Sequence, residues 1–253
     1  MNDPIGLPDD EVHVWTASRD APDDAVGAMR DLLDDGERRR ADRFAFPVDR
    51  RRFAVGRGLL RTILGRYLGR PPGSLRFVAN AHGKPGLDPT SVEGAPLRFN
   101  LAHSGSLVLY GVTLGRDLGV DIEQIRPDFG GEAIAGRFFA PGEVAALRAL
   151  PEADRTLAFF HGWTRKEAYI KARGKGLAIP LDEFEVSIDP ARPAALLATL
   201  PDPAEAARWS LVELPTEPGY VAAACVEGRA WRLRRAWWPE MGGASSLEPE
   251  DGG

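Results

Sequence analysis

Cysteine and long apolar runs are almost absent from this 253-residue sequence. The single cysteine, Cys225, excludes an internal disulfide and a cysteine-based metal cluster, and its apolar neighbours are typical of a buried thiol. No apolar run approaches the roughly 20 residues of a membrane-spanning helix. The acidic, proline-containing residues 1–10 also lack the basic-then-apolar pattern of a signal peptide. We therefore expect a cytoplasmic protein that does not contact a membrane.

Lysine is scarce as well, with four residues against twenty-eight arginines. Three of the four, Lys166, Lys171 and Lys175, lie within ten residues of one another, and the fourth, Lys84, stands in a Gly-Lys-Pro turn. In a chain that otherwise uses arginine, these few lysines are candidates for specific roles.

Positive charge is concentrated in one stretch, although the net charge of the chain is -5. Residues 37–76 contain twelve arginines and only three acidic residues. A locally basic stretch in an acidic protein indicates an anionic ligand, and both nucleic acid and a phosphorylated cofactor fit that description. The alternative is a solvated helix face, which is the usual place of such a run.

Apolar periodicity divides the chain into two halves of similar content. Before residue 118 it predicts helices at 24–33, 35–44 and 49–67, strands at 12–17, 75–78, 97–101 and 106–114, and a turn at 81–86. From residue 118 onward it predicts a strand at 118–123, helices at 131–139, 141–150 and 154–173, and strands at 184–188, 209–214, 219–226 and 230–237.

Each half thus offers one long helix and several antiparallel strands, which predicts an α+β fold of two similar lobes packed face to face. We expect an N-terminal lobe at 1–117 and a C-terminal lobe at 118–240. The small, acidic, apolar-poor residues 241–253 predict a disordered tail.

Two carboxylates lie close together on the strand predicted at 118–123. Strand side chains alternate between faces, so Asp121 and Glu123 point the same way while Val120 and Ile122 point into the core. Neighbouring carboxylates repel each other and are tolerated where a cation bridges them, and oxygen ligands favour Mg²⁺. A solvated strand edge whose acids pair with arginines is the alternative.

The helix predicted at 154–173 carries a second group of charged residues. Trp163, Glu167 and Lys171 are spaced four residues apart and therefore share one helix face. An ordinary surface ion-pair ladder is one interpretation, but tryptophan is a costly residue on a solvated stripe. Glu167 is a candidate third carboxylate for a metal, and Lys171 is a candidate partner for a phosphate.

A polar loop follows the strand predicted at 97–101. Asn100, His103 and Ser104 supply hydrogen-bond groups for a phosphate or a ribose. The arginines at 38–43 and 50–52 can form forked bonds to phosphate. We identify no Ser-His-Asp arrangement, which disfavours a hydrolase of that kind.

Three stretches together resemble the phosphopantetheinyl transferases of the larger type that serves polyketide, nonribosomal peptide and siderophore synthases. They are residues 99–104 (FNLAHS), 119–123 (GVDIE) and 163–177 (WTRKEAYIKARGKGL), in the order and at the spacing of the family's three signatures. Weaker family patterns match residues 83–85 (GKP) and 56–61 (GRGLLR).

The resemblance implies that a 4'-phosphopantetheine group moves from coenzyme A to a serine of an apo acyl or peptidyl carrier protein, with release of 3',5'-ADP. It implies a pseudo-two-fold pair of lobes with the active site in the cleft between them. Because two lobes in one chain already make a cleft, we expect a monomer, and we expect no nucleic acid among its partners. Mg²⁺ would be bound by Asp121, Glu123 and Glu167, and Glu167 and Lys171 would act in the transfer. The residues expected to hold coenzyme A are Arg40, Arg43, Arg52, Gly83, Lys84, Pro85, Ala102, His103 and Ser104.

Ala102 departs from the family pattern, which has serine before the histidine. The loss of a hydroxyl predicts weaker coenzyme A binding at that point without loss of activity. The rival functions are a metal-dependent phosphohydrolase or nuclease, a nucleic-acid-binding module that uses the arginines, and an inactive protein that only binds coenzyme A. The nucleic-acid alternative leaves Asp121, Glu123 and the Trp163 stripe unexplained.

Overall fold

A computed structural model describes residues 4–89, 96–127, 129–200, 202–238 and 248–249 of the chain. Its helices are α1 (Asp23–Asp31), α2 (Asp35–Asp42), α3 (Pro47–Leu68), α4 (Gly131–Phe138), α5 (Pro141–Ala149) and α6 (Glu152–Arg173). Its strands are β1 (Glu11–Ser18), β2 (Phe77–Ala79), β3 (Pro85–Leu87), β4 (Leu97–Ser104), β5 (Leu107–Leu114), β6 (Leu118–Gln124), β7 (Phe184–Val186), β8 (Leu196–Thr199), β9 (Trp209–Glu213), β10 (Tyr220–Glu227), β11 (Arg232–Trp237) and β12 (Glu248–Pro249). The predicted α+β class is confirmed.

The ends of the two long helices follow from local sequence. Helix α3 begins with Pro47. Proline has no N–H, and this costs nothing here because the first N–H groups of a helix have no partner within the helix. Gly69 ends α3 and Gly174 ends α6, both with a positive φ that glycine adopts without strain. Helix α2 begins with a capping box in which the Asp34 carboxylate accepts from the Glu37 N–H and Glu37 accepts from the Asp34 N–H.

Two sheets pack face to face between the two long helices. The first sheet has the strand order β12-β11-β1-β5-β4, and the second has the order β6-β10-β9. Helix α3 covers the outer face of the first sheet and α6 covers the outer face of the second, each through its own apolar core. A third apolar layer, with Val14 and Leu109 from the first sheet and Val120 and Ala224 from the second, joins the sheets. This arrangement puts β4 of the first sheet beside β6 of the second.

Strand β11 corrects the assignment of residues to lobes. The sequence places 230–237 in the C-terminal lobe, but β11 pairs in parallel with β1 of the first sheet, with Glu11 opposite Arg232. Strand β1 is buried along nearly its whole length and therefore needs a partner on each edge, which β5 and β11 supply. The first sheet is accordingly mixed, whereas the second is antiparallel as expected.

Two short hairpins extend the set of predicted strands. Residues 85–87 pair with 77–79 where the sequence predicts a turn, and β8 pairs with β7. The tail expected at 241–253 lies outside the described residues except for Glu248–Pro249, which pair with β11. Among the described residues, no helix is long and apolar enough to cross a membrane.

Candidate active site

Glycine at position 119 lets β6 and α6 approach closely. A Cβ on Gly119 would lie 2.1 Å from the Ala168 carbonyl oxygen and 2.3 Å from the Ala172 nitrogen, both in the backbone of α6. The alternation of β6 then turns Asp121 and Glu123 toward α6 as well, because Val120 and Ile122 lie in the apolar layer between the sheets. The predicted carboxylate pair therefore faces the helix that carries Glu167 and Lys171.

The half-buried side of α6 carries Trp163, Glu167 and Lys171, the stripe that the sequence predicts. From Ala158 to Ile170 the helix is buried at every position except Trp163 and Glu167, and Lys171 continues the same side. The Trp163 ring packs beside Phe159 with 6.0 Å between ring centroids, so its apolar bulk is partly covered. The stripe leaves Glu167 and Lys171 accessible from outside the core.

Asp121 and Lys171 form a direct ion pair between β6 and α6. The Lys171 ammonium donates to Asp121 Oδ1 at 2.6 Å, and the Asp121 side chain is 5% exposed. Burial raises the pKa of Asp121 to about 7 against the opposing effect of Lys171, and the nearby carboxylates of Glu167 and Glu123 add to the rise. The second oxygen, Oδ2, is buried without a hydrogen-bond partner. Such an atom is costly unless another positive group satisfies it.

Glu167 and Lys171 also have shifted pKa values. Burial raises the pKa of Glu167, with Lys171 opposing and Glu123 adding to the effect. Burial would lower the pKa of Lys171, but Asp121, Glu167 and Glu123 outweigh it and raise the value. Glu123 Oε2 accepts a hydrogen bond from Ser104 Oγ at 2.8 Å, which ties β6 to the end of β4. Lys171 thus contacts Asp121 directly and lies within electrostatic range of Glu167 and Glu123.

These donors fit a hard cation. Within the described ranges, no three His, Cys, Asp or Glu side chains converge closely enough to hold a metal ion. However, Glu123 and Glu167 are near enough to raise the pKa of Asp121, all three residues offer only oxygen donors, and the Oδ2 of Asp121 has no partner. Oxygen-only ligation is what Mg²⁺ prefers in proteins.

A cavity of about 620 Å³ has part of its wall in β4, the strand whose Ser104 bonds Glu123. Its walls come from α2, α3, the β2–β3 hairpin and β4, and four arginines line it together with several aromatic rings: Arg19, Arg40, Arg52, Arg57, Phe44, Phe53 and Phe77. His103 lies in the wall and directly precedes Ser104, whose hydroxyl bonds Glu123. Burial lowers the pKa of His103, and the charges of Arg19, Lys171 and Arg40 lower it further. The positive charges of the cavity and of Lys171 thus both act on this histidine.

Arginine side chains in this cavity are held in different ways. Arg52 makes a forked pair with Asp20 at 2.7 and 3.0 Å. Arg57 pairs with Glu37 and stacks over the Phe77 ring, 4.2 Å from its centroid. Arg40 lies over the Phe53 ring at 5.3 Å. The cavity thus combines four arginines with aromatic surface and with three acidic residues, Asp34, Glu37 and Asp49.

Comparison with known proteins assigns the chain to a family. The 4'-phosphopantetheinyl transferase HetI of a Nostoc species is 43% identical over 228 residues, which cover 90% of this chain and 92% of that protein. The chain belongs to the 4'-phosphopantetheinyl transferase superfamily.

Further matches agree with this membership. A family model described as the 4'-phosphopantetheinyl transferase superfamily matches residues 117–225, and one described as 4'-phosphopantetheinyl transferase, N-terminal, matches residues 15–113. The transferase psf-1 of Bacillus pumilus is 36% identical over 75% of this chain and 76% of its own length. The transferase Sfp of Bacillus subtilis is 32% identical over 75% of this chain and 80% of its own length. The predicted family, and with it the predicted activity of a phosphopantetheinyl transferase, is confirmed.

Five of the residues expected to bind the transferase's cofactor lie in the arginine-lined cavity. They are Arg40, Arg52, Gly83, Pro85 and His103. Four others do not line it: Arg43, Lys84, Ala102 and Ser104. Arg43 is exposed at the end of α2.

Strand alternation separates Ala102 and Ser104 from the cavity. Leu101 and His103 face it, whereas Ala102 lies in the apolar layer between the sheets and Ser104 bonds Glu123. The lost hydroxyl expected to weaken cofactor binding would therefore stand in an apolar layer, and the structure gives that expectation no support.

The sequence did not predict the roles of two residues, Arg19 and Lys166. Arg19 lines the cavity just beyond β1, and its Nη2 donates to the Gly105 carbonyl at 2.6 Å while its Nε is buried without a partner. No motif surrounds Arg19, so only the fold reveals it. Lys166, which stood out among the few lysines, is fully buried and pairs with Glu143 at 2.7 Å. It is a structural residue.

Proposed function

We propose that this transferase moves the 4'-phosphopantetheine group of coenzyme A to a serine of an apo acyl or peptidyl carrier protein, and that it requires Mg²⁺. The observation that supports this most strongly is the position of His103, directly before the Ser104 that bonds Glu123. The histidine lines the arginine cavity and also lies within electrostatic reach of Lys171, the partner of Asp121. A ligand with phosphates in the cavity can thus present its pyrophosphate to the carboxylate group.

The cavity suits the nucleotide half of coenzyme A. Its volume of about 620 Å³ lies in the usual range of small-molecule sites, roughly 300–1,000 Å³. We assign the phosphates to Arg19, Arg40, Arg52 and His103, because guanidinium groups bind phosphate oxygens through forked hydrogen bonds. The Gly83 backbone and Pro85 would complete the wall against which the nucleotide lies.

Asp121, Glu123 and Glu167 would hold Mg²⁺. Two observations support this assignment: the unpartnered Asp121 Oδ2, and three oxygen donors within range of one another. When bound, the ion would neutralise charge on the pyrophosphate oxygens.

The chain's own residues supply the rest of the chemistry. Burial raises the pKa of Glu167 and so makes it a better acceptor for the proton of the carrier serine. The serine oxygen bonds to the β-phosphorus as the bond to the oxygen of 3',5'-ADP breaks, and Lys171 stabilises negative charge on the phosphoryl oxygens or the leaving group. The products are holo carrier protein and 3',5'-ADP.

We also propose a pseudo-two-fold relation between the α3 and α6 halves with the active site in the cleft between them. We further propose that the protein is a cytoplasmic monomer and that it does not bind nucleic acid. Light scattering after size exclusion tests the monomer.

The deciding experiment measures the intact mass of an apo carrier protein after incubation with the transferase, coenzyme A and Mg²⁺. We expect a gain of one phosphopantetheine group, its absence with EDTA, and recovery on adding excess Mg²⁺. Hydrolysis of coenzyme A without an acceptor would instead favour the phosphohydrolase alternative. Steeply salt-dependent binding of DNA without transfer would favour the nucleic-acid alternative.

A further inference from the structure

The β2–β3 hairpin is a thin wall between two cavities. Val78, Ala79 and Pro85 line the arginine cavity on one side and a second cavity of about 350 Å³ on the other. Each strand has only three residues, and a two-stranded hairpin of this size is not stable by itself in water. Contacts outside the hairpin must therefore hold the wall in place.

The base of the hairpin is anchored to the first sheet and α3. Phe77 meets Phe99 edge-on with 5.7 Å between centroids, and the Arg57 guanidinium stacks on Phe77. The tip folds on itself, because Asn80 Oδ1 accepts from the N–H groups of His82 and Lys84, each at 2.9 Å.

The tip is attached to the other half of the molecule by two side chains. Asn80 Nδ2 donates to the Gly174 carbonyl at 2.8 Å. Lys84 Nζ donates to the carbonyls of Leu118 at 2.9 Å and Ala172 at 3.4 Å. Carbonyls in the last turn of a helix lack partners within the helix, and a cation there also suits the helix dipole. Both side chains therefore satisfy groups that α6 leaves open.

The attachment point lies next to the catalytic group. Ala172 directly follows Lys171, and Leu118 begins the strand that carries Asp121. Lys84 itself lines the smaller cavity and not the arginine cavity, although its neighbours Gly83 and Pro85 line the latter. Burial lowers the pKa of Lys84 to about 8, as expected for an ammonium group directed at carbonyls away from water.

We propose that Asn80 and Lys84 form a latch that fixes the hairpin to the end of α6, and that Lys84 is a positioning residue and not a phosphate ligand. The latch would set the distance between the wall of the coenzyme A cavity and the reacting groups on α6. Its kinetic consequence rests on the proposed function, whereas its effect on the hairpin does not.

Hydrogen exchange in the ligand-free protein tests the latch directly. The variants are Lys84→Met, which removes the donor, and Asn80→Asp, which keeps Oδ1 for the turn and replaces only the donor to Gly174. We expect amides of 77–87 to exchange about tenfold faster in both, the effect of losing roughly one hydrogen bond. Lys175→Met, an exposed lysine beside the same helix end, is the matched control and is expected to leave exchange unchanged.

Kinetics with coenzyme A and 3'-dephospho-coenzyme A test the role of Lys84. A latch predicts that both latch variants raise KM for the two nucleotides by the same factor. It also predicts partial recovery in Lys84→Gln, which restores a donor without charge. A ligand of the 3'-phosphate predicts a larger loss for coenzyme A, and a ligand of any phosphate predicts no effect of Asn80→Asp and no recovery with glutamine.

The outcomes separate the two proposals. Unchanged exchange in Lys84→Met together with a loss selective for coenzyme A overturns the latch. Absence of transfer by the unmodified protein overturns the proposed function, and the exchange experiment still decides the latch. If Lys84→Met does not fold, Asn80→Asp and Lys84→Gln carry the same test.

Discussion

Gly119→Ala is expected to separate the two elements that build the active site. The added methyl group would meet the Ala168 carbonyl oxygen at 2.1 Å. An ordinary contact is 3.4 Å or more, so β6 and α6 must move apart by about 1.3 Å. The obstructing atoms are helix backbone, which cannot rotate away as a side chain can.

The displacement acts on activity and on stability. Overpacking a close contact costs about 1–3 kcal/mol of the free energy of unfolding, and a backbone obstruction favours the upper end. A 1 Å misplacement of reacting groups lowers turnover by about 10²-fold. Because Asp121 lies on β6 and Lys171 on α6, their 2.6 Å contact cannot survive the shift unchanged.

Two control variants make the result interpretable in thermal unfolding and intact-mass kinetics. Gly136→Ala adds a methyl group in α4 with nothing within 4 Å and is expected to leave activity unchanged. Gly111→Ala meets side chains of Leu118 and Val120 at 2.6 and 2.9 Å, so it strains the layer between the sheets without touching α6. Wild-type kcat/KM in Gly119→Ala, or an equal loss in Gly111→Ala at matched stability, would refute the reasoning.

Three further outcomes are expected. Lys166→Met removes the ion-pair partner of the buried Glu143 and lowers the free energy of unfolding, measured by denaturant titration, by about 3–5 kcal/mol. Lys171→Met removes transfer with a smaller loss of stability. Equal losses of stability in the two variants would contradict this. Added Mg²⁺ raises the Tm of the unmodified protein and leaves that of Asp121→Asn unchanged, since binding to the native state alone stabilises it; an equal rise in both would remove Asp121 from the metal site. Arg40→Ala raises KM for coenzyme A about tenfold by removing one charged hydrogen bond. Arg39→Ala, at the preceding exposed position, does not raise it. Equal effects of the two variants would mean that coenzyme A is attracted to the basic surface in general.

Local rules predicted how part of the candidate site is arranged. Strand alternation aligned Asp121 with Glu123, and helical spacing aligned Glu167 with Lys171, because both patterns depend only on neighbours in the chain. The same alternation could have placed Ala102 on the opposite face of β4 from His103. The resemblance instead predicts one contact surface for residues 102–104.

Long-range contacts account for what the sequence did not predict. The direction of Lys84 depends on carbonyls of Leu118 and Ala172, which are 34 and 88 residues away. Arg19 reaches the cavity only because β1 ends beside β4's neighbour β5. Strand β11 carries no local sign that its partner is β1. Such pairings are set by burial in the whole fold.

The parallel pair of β1 and β11 also constrains the order of events during synthesis. Arg232 bonds Asp10 across 222 residues of chain. While a ribosome is still making the second sheet, one edge of β1 therefore has no partner from its own molecule. Exposed strand edges invite pairing with other chains. The first half of this transferase emerges from the ribosome early but completes its sheet only when the last strand arrives, so the growing chain passes through a long interval in which it is vulnerable to aggregation.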